Sequence, residues 1–325
     1  MSDKPIIILD QPGQIFPEVM KYMTTFAEVK IPKTYEIDEL VSMLKEADAI
    51  LTWSSTRLSK EVLSHASQKL KTIAVTGVGY DNIDIKAAKE KGIIITNTPG
   101  ANSNAVAEYT IGMMLTSIRH CFKGALMCKN KEWDEGDKFS GHELRGSIVG
   151  ILALGNAGRS VASLLSSFNC SLIGYDPFID ARRREELINK YNVEIVETLK
   201  ALSKRANIIS VHVPLTDSTF HMLNKEHFEL MQKDTWIINA GRALVVDEDA
   251  LYEYLRDGKV GGYCTDVFPV EPPDYDKPLY SLDNVIATPH LAAMTYRTHK
   301  EMQQKAAENV WAILNNLKPL NVIEE

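Results

Sequence analysis

Short β-branched apolar runs alternate with amphipathic stretches from the start of the chain: KPIIIL, then IDELVSMLKEA, AIL, SKEVLSHA, KTIAVTG, IDIKAAKEKG and IIITN. Apolar runs of this length, bounded by turn residues and separated by helical periodicity, predict buried parallel strands with helices on both faces of the sheet. This first unit is expected to end near residue 100. The segment NTPGANSN stops its last strand, and the Asn and Ser residues there can cap a long helix predicted over AVAEYTIGMMLTSIRHCF.

The same grammar then restarts. GSIVGILALG, SLIGYD, VEIV, ANIISVHVP, TWIINAG, GGYCTDV and NVIATPH read as strands, with helices predicted from about Arg159, from about Asp180 and over DEDALYEYLRDG. In the tail, Met302, Ala306, Val310, Ile313 and Leu317 fall at helical spacing with no strand after them, so this helix is expected to return to the first domain. The architecture expected is α/β: two doubly wound, parallel-sheet, Rossmann-like domains with the active site in the cleft between them. The division expected is residues 1–101 plus 295–325 as a discontinuous substrate domain and 102–294 as the dinucleotide-binding domain.

Composition narrows the function classes. The 325 residues, 45% of them apolar, suffice for two cores, and the formal charge of -7 leaves no basic footprint for nucleic acid. The N-terminal MSDKPIIILD holds too short an apolar run for a secretion signal or a membrane span, so a cytoplasmic protein without a membrane partner is expected. Cys121, Cys128, Cys170 and Cys264 show neither CxxC pairing nor metal-ligand spacing with histidine, which predicts reduced thiols and no metal.

Candidate chemistry begins at GILALGNAGRSVA, where an apolar strand runs into a helix, the context a dinucleotide fingerprint requires. Gly155 stands where backbone must approach a pyrophosphate and Gly158 where the helix packs on the strand, while Ala153 replaces the usual first glycine. A Cβ at that turn is tolerated without strain only if its dihedrals stay in an ordinary region. Asp176 ends the next strand, and 176 minus 158 is 18, near the roughly 20-residue offset of the acid that receives the ribose hydroxyls. An aspartate there repels a 2′-phosphate and favours NAD. Arg182, Arg183 and Arg184 lie in RRREEL and read as a solvated helix face.

Three further segments end successive strands at the edge where doubly wound sheets bind ligands: INAGRA with Arg242, TDVFPVEPP with Asp266 and Glu271, and ATPHLAA with His290. Together with TGVGYDNIDIKAA, NTPGANSNAVAE, GYDPF and HVPLT, in this order, they make the whole chain resemble the D-isomer-specific 2-hydroxyacid dehydrogenase family, which includes D-lactate, D-glycerate and 3-phosphoglycerate dehydrogenases. The resemblance implies that Arg242, Glu271 and His290 are catalytic. It further implies that Val78 and Gly79 hold a substrate carboxylate by their amides. Cofactor contacts are implied for Val106 near the nicotinamide, Asn156 and Ala157 at the pyrophosphate, Val213 and Pro214 beneath the adenosine, Ala240 and Gly241 at a strand end, and Asp266 toward the carboxamide. A homodimer through the helix spanning Glu108 to His120 is implied as well.

The residue types suit that chemistry. Hydride arriving at C2 of a 2-oxo acid builds charge on the carbonyl oxygen, so a proton donor and a fixed cation are needed. His290 can donate the proton, a carboxylate such as Glu271 favours its imidazolium, and Arg242 offers a permanently charged fork. His212, His221 and His227 read as structural.

Departures from the family pattern bear on specificity. Ala243 follows the arginine where glycine is common, and Ala292 and Ala293 follow the histidine, so altered cofactor fit or substrate size is expected. Trp53 stands in LTWSST where phosphoglycerate dehydrogenases carry an arginine, and no added regulatory domain is expected after the last helix; both argue for an unphosphorylated, even aromatic, acid. The other readings left open are an NAD(H)-sensing interaction protein of the corepressor type and a phosphite dehydrogenase on the same scaffold.

Overall fold

The structure is a computed structural model that describes residues 4–10, 15–34, 36–53, 56–133 and 139–323. It divides into two compact units, residues 1–102 with 295–325 and residues 103–294.

In the first unit β1 (Ile6–Leu9), α1 (Pro17–Phe26), β2 (Glu28–Lys30), α2 (Ile37–Leu44), β3 (Ala49–Thr52), α3 (Lys60–Ser64), β4 (Thr72–Val75), α4 (Ile85–Glu90) and β5 (Ile94–Thr96) follow in turn. The five strands are all parallel, in the order β2-β1-β3-β4-β5. Period-two alternation divides β1 between two cores: Ile8 packs with Leu40, Leu44, Val62 and Ala88 on one face, and Ile7 and Leu9 with Val19 and Met23 on the other. Asp84 caps α4 by accepting the Ala87 N–H at 2.9 Å, and Ser59 caps α3 in the same manner.

The second unit runs α5 (Ser103–Ile118), α6 (Cys121–Lys129), β6 (Ile148–Leu152), α7 (Asn156–Leu165), β7 (Ser171–Tyr175), α8 (Ala181–Tyr191), β8 (Val193–Ile195), α9 (Leu199–Arg205), β9 (Ile208–Val211), α10 (Lys225–Phe228), β10 (Trp236–Asn239), α11 (Glu248–Arg256), β11 (Gly262–Thr265) and β12 (Val285–Ala287). Its seven parallel strands are ordered β12-β11-β10-β9-β6-β7-β8. Strand order therefore reverses between β6 and β9, which is the topological switch point where such sheets place a ligand. One core lies under α9, α10 and α11, the other under α5, α7 and α8. The last helix, α12 (Tyr296–Leu314), belongs to the first unit, where Ala306, Ala307 and Val310 pack against Ile7, Leu9, Ala49 and Ala74.

Two boundaries differ from the pattern-based expectation. The long helix predicted over residues 105–122 breaks after Ile118, where His120 takes a left-handed φ of 52° and α6 continues to Lys129. No glycine or proline announces the break. The Ile118 carbonyl instead accepts the His142 N–H at 2.9 Å, and a Cβ on Gly141 would lie 2.1 Å from that oxygen, so a returning segment ends the helix. At α7 the helix begins at Asn156, three residues before the expected Arg159, because Gly155 already serves as its N-cap.

Among the described residues no helix is long and apolar enough to cross a membrane, and no group of three or more His, Cys, Asp or Glu could hold a metal ion.

Candidate functional site

At the switch point the chain leaves β6 through Ala153, whose φ is 69°. This corrects the expectation that a side chain here needs ordinary dihedrals: Ala153 occupies the left-handed region, where a Cβ crowds its own carbonyl at a cost of about 1–2 kcal/mol. The turn is held regardless by the Ala153 N–H on the Tyr175 carbonyl and the Leu154 N–H on Asp176 Oδ2, both at 2.9 Å.

The two glycines that follow do different jobs. A Cβ at Gly158 would sit 2.1 Å from the Ala153 carbonyl oxygen, so only glycine lets α7 pack this closely on the turn. A Cβ at Gly155 would meet no protein atom within 4 Å, and its φ of -67° suits any residue. Nothing inside the protein requires glycine at 155; what its absent side chain leaves open is approach to the backbone. Beside it the first turn of α7, with Asn156 and Ala157, presents the partial positive charge that anions seek.

Asp176 ends β7 beside this turn. Its Oδ2 accepts from Leu154 and its Oδ1 from the Phe178 N–H at 2.9 Å, so two main-chain donors aim the carboxylate and leave further lone pairs for hydroxyls. The glycine turn, helix end and oriented acid fit a dinucleotide. Arg183 and Arg184 are occupied at the surface, with Asp180 at 3.3 Å and Glu197 at 3.4 Å. Val213 and Pro214 follow β9, with Val213 buried and Pro214 exposed, and Val106 is buried early in α5. His212 bonds Ser210 Oγ through Nε2 at 2.6 Å, and burial pushes its pKa down to about 4, which keeps it neutral.

Past β10 the turn Asn239–Arg242 is organised by one amide. Asn239 Oδ1 accepts the Gly241 N–H at 3.0 Å and its Nδ2 donates to the Arg242 carbonyl at 3.1 Å. Ala240 and Gly241 form the turn itself, and a Cβ on Gly241 would approach the Val211 carbonyl to 3.1 Å. Arg242 extends from it, its Nη1 donating to the Gly241 carbonyl at 2.9 Å. Ala243 is buried in ordinary backbone just after it, so its Cβ causes no strain.

His290 follows β12 in a left-handed conformation, φ 55°. Its Nδ1 lies 2.8 Å from Glu271 Oε2 and 3.0 Å from Oε1, which directs Nε2 away from the carboxylate. Glu271 also accepts the Phe268 N–H at 3.2 Å and precedes a cis peptide bond to Pro272. Burial alone would raise the Glu271 carboxyl, but the His290 bond and charge, the Phe268 N–H and the Arg242 charge together hold it below its usual range. The carboxylate form is therefore kept against His290, with Arg242 close enough to act on it.

Asp266, expected toward the carboxamide, also has partners within the protein. It is 1% exposed and turned into the protein, accepting from Thr288 Oγ1 and from the N–H groups of Leu291 and Ala292, each at 2.7 Å. The donors flank His290 on both sides, so this carboxylate holds the turn that carries the imidazole. Since the Thr288 proton goes to Asp266, the Tyr109 hydroxyl on α5 must donate to Thr288. Tyr109, Thr288 and Asn239 were not singled out from sequence; their importance lies in hydrogen bonds that spacing does not reveal.

The first unit carries the remaining expected residues. Trp53 follows β3 and packs its ring on the cluster that includes Leu9 and Val310, while Ser54 and Ser55 after it lie outside the described residues. The Val78 carbonyl accepts from Asn97 Nδ2 at 2.7 Å, and the N–H groups of Val78 and Gly79 meet no acceptor among the described residues.

Comparison with known proteins agrees with this geometry. Residues 111–292 match the profile of the D-isomer specific 2-hydroxyacid dehydrogenase NAD binding domain. A D-3-phosphoglycerate dehydrogenase from Methanocaldococcus jannaschii is 39% identical over 94% of this chain, but the chain spans only 57% of that relative's length. A hydroxypyruvate reductase from Thermotoga maritima is likewise 39% identical, over 85% of this chain and 88% of its own. Among solved structures, an NADPH-dependent glyoxylate/hydroxypyruvate reductase from Sinorhizobium meliloti in complex with NADP and malonate superposes with a TM-score of 0.85 at 26% identity, covering 98% of this chain and 97% of that one. With the fingerprint turn, the oriented acid and the paired glutamate and histidine on one strand edge, these matches place the chain in the D-isomer specific 2-hydroxyacid dehydrogenase family, its second unit being that family's NAD-binding domain.

Proposed function

We propose that this chain reduces small, unphosphorylated 2-oxo acids to D-2-hydroxy acids with NADH, and runs the reverse oxidation with NAD. The observation that carries the reading is the His290–Glu271 pair at 2.8 Å with the Arg242 charge acting on the same carboxylate. NADH, when bound, supplies the hydride. The chain's own residues do the rest. His290 Nε2 delivers the proton to the carbonyl oxygen as charge builds there, and the Glu271 carboxylate holds the ring oriented. Arg242 clamps the substrate carboxylate and reacting oxygen, and the amides of Val78 and Gly79 take part of the same carboxylate.

Gly155, Asn156, Ala157 and Gly158 are proposed to seat the pyrophosphate, Asp176 the ribose hydroxyls, Val213 and Pro214 the adenosine, and Val106, Ala240 and Gly241 the nicotinamide end. The Asp176 charge, fixed by two N–H groups, opposes a 2′-phosphate and favours NAD over NADP. In this reading residues 1–101 with 295–325 serve the substrate and 102–294 the cofactor. Trp53, in place of a phosphate-binding arginine, steers the choice away from phosphoglycerate. The 39% and 35% identities to relatives named hydroxypyruvate and glyoxylate reductase, over 88% and 83% of their lengths, support this class.

A cytoplasmic homodimer, joined through the segment Glu108 to His120, completes the reading. Steady-state rates with glyoxylate, hydroxypyruvate, pyruvate, phenylpyruvate and 3-phosphohydroxypyruvate, each with NADH and NADPH, test the proposal. Turnover is expected with unphosphorylated acids and NADH; no oxidation of NADH by any acid at micromolar protein would overturn it.

A further inference from the structure

Behind the Arg242 turn, the apolar core under α11 is crossed by a line of polar side chains. Asn239 is 1% exposed, and its Nδ2, besides the bond to the Arg242 carbonyl, reaches the Tyr263 hydroxyl at 3.4 Å. Tyr263, on the neighbouring strand β11, is wholly buried, and its hydroxyl donates to Glu248 Oε1 at 3.3 Å. Glu248, 4% exposed, opens α11 and takes the Lys277 ammonium at 3.1 Å and the Tyr280 hydroxyl at 3.2 Å on Oε2. Ile237 pairs with Tyr263 and Asn239 with Thr265, so Tyr263 is the diagonal neighbour of Asn239 on the same sheet face.

Packing does not call for this line. Phenylalanine would fill the volume at 263 and an apolar residue that at 248, and replacing buried polar networks by apolar side chains is often neutral or stabilising. What the line supplies is orientation. The two ends of an asparagine amide are nearly the same shape, but a reversed amide would set NH₂ against the Gly241 N–H and oxygen against the Arg242 carbonyl. A Tyr263 hydroxyl whose proton is committed to Glu248 can only accept from Asn239, which selects the amide orientation that closes the turn. Burial, then the Glu248 charge, raises the Tyr263 phenol far above its usual range, so that proton stays in place.

We propose that Tyr263, anchored by Glu248, is a positioning residue for Arg242: it orients the Asn239 amide, and that amide holds the turn from which the guanidinium is aimed. The inference rests on the reading of Arg242 as the substrate clamp.

The test is a double-mutant cycle in the full chain, with Tyr263→Phe and Arg242→Lys singly and together, using glyoxylate and hydroxypyruvate with NADH. Tyr263→Phe alone is expected to lower kcat/KM about tenfold, mainly by raising KM for the acid, with NADH affinity by fluorescence titration unchanged. In the Arg242→Lys background the further loss is expected to fall below about twofold, because the aim of the fork is already gone. A purely structural role predicts the same tenfold loss in both backgrounds, and that result, or an unchanged kcat/KM in folded Tyr263→Phe, overturns the proposal. Should Tyr263→Phe not fold, Glu248→Gln carries the same cycle, with about threefold expected alone and none in the Arg242→Lys background. Wild-type protein that reduces neither acid removes the reading beneath; an active wild type with additive losses removes only the Tyr263 brace.

Discussion

Among the described residues each unit buries one aspartate just beyond the C-terminal end of a strand, and the two are treated differently. Asp10 follows β1 and is 4% exposed; its Oδ2 accepts from Thr52 Oγ1 at 2.5 Å and the Trp53 N–H at 3.1 Å, while Oδ1 has no hydrogen-bond partner among the described residues. Asp266 follows β11, is 1% exposed and has three donors at 2.7 Å shared over both oxygens. Burial depth is nearly the same, so hydration does not separate them. Saturation does. Three short bonds over both oxygens make Asp266 a rigid knot around the left-handed His290, whereas at Asp10 desolvation outweighs the bonds from Thr52, Thr56 and the Trp53 N–H and pushes its carboxyl up to about 6.

His290→Ala breaks the comparison at its functional end and should show the largest effect: kcat down about a thousandfold, as for loss of a general acid, with NADH affinity and melting temperature retained. Near-normal turnover would remove His290 as proton donor. Asp266→Asn should damage both properties, because its NH₂ cannot accept and leaves a buried N–H facing it. Stability is expected to fall by about 2–3 kcal/mol by denaturant titration and kcat by about a hundredfold. A variant of normal stability would show that the knot is not under load.

For Asp10 the sign runs the other way. The folded-state pKa of about 6 lies above the ordinary 3.8, so its contribution is fully present below 3.8 and is lost as pH rises through about 6. Removing the charge with Asp10→Asn should therefore raise stability relative to wild type as pH goes from 4 to 7, by up to about 2 kcal/mol. A difference in melting temperature that stays flat over this range would mean the carboxylate is adequately solvated when charged.

The smallest effect concerns the other left-handed residue of a strand exit. His290 bears that conformation with its imidazole paired to Glu271, whereas the Ala153 methyl does no more than pack against the core beside β6. Ala153→Gly is expected to stabilise by about 0.5–1 kcal/mol, the relief of φ 69° being partly offset by a more flexible unfolded chain. Loss of stability in thermal unfolding would show that the turn tolerates the methyl without strain.

How much of this was legible in the chain depends on the range of the interaction. Alternating apolar runs foretold two parallel sheets, since strand and helix periods are local properties of the sequence. The offset from Gly158 to Asp176 and the strand-end positions of Arg242, Glu271 and His290 were readable for the same reason: one βα step has a nearly constant length, and sheet edges collect strand ends. The break at His120 was not readable, because the segment that ends α5 returns from residues 141–142.

What only tertiary structure decided are the second partners. Asp266 read as a cofactor contact from its motif, and its bonds to Thr288, Leu291 and Ala292 around the His290 turn were not visible in that motif. Tyr263 stood in the sequence only as part of the strand GGYCTDV, and its hydroxyl bonds to Asn239 and Glu248 belong to the fold. Sequence by itself picked out the groups proposed to carry the chemistry, because residue type and strand-end position are written in one dimension. The direction in which those groups point is set by hydrogen bonds that join strands and helices far apart along the chain, and these exist only after the sheet has ordered its strands.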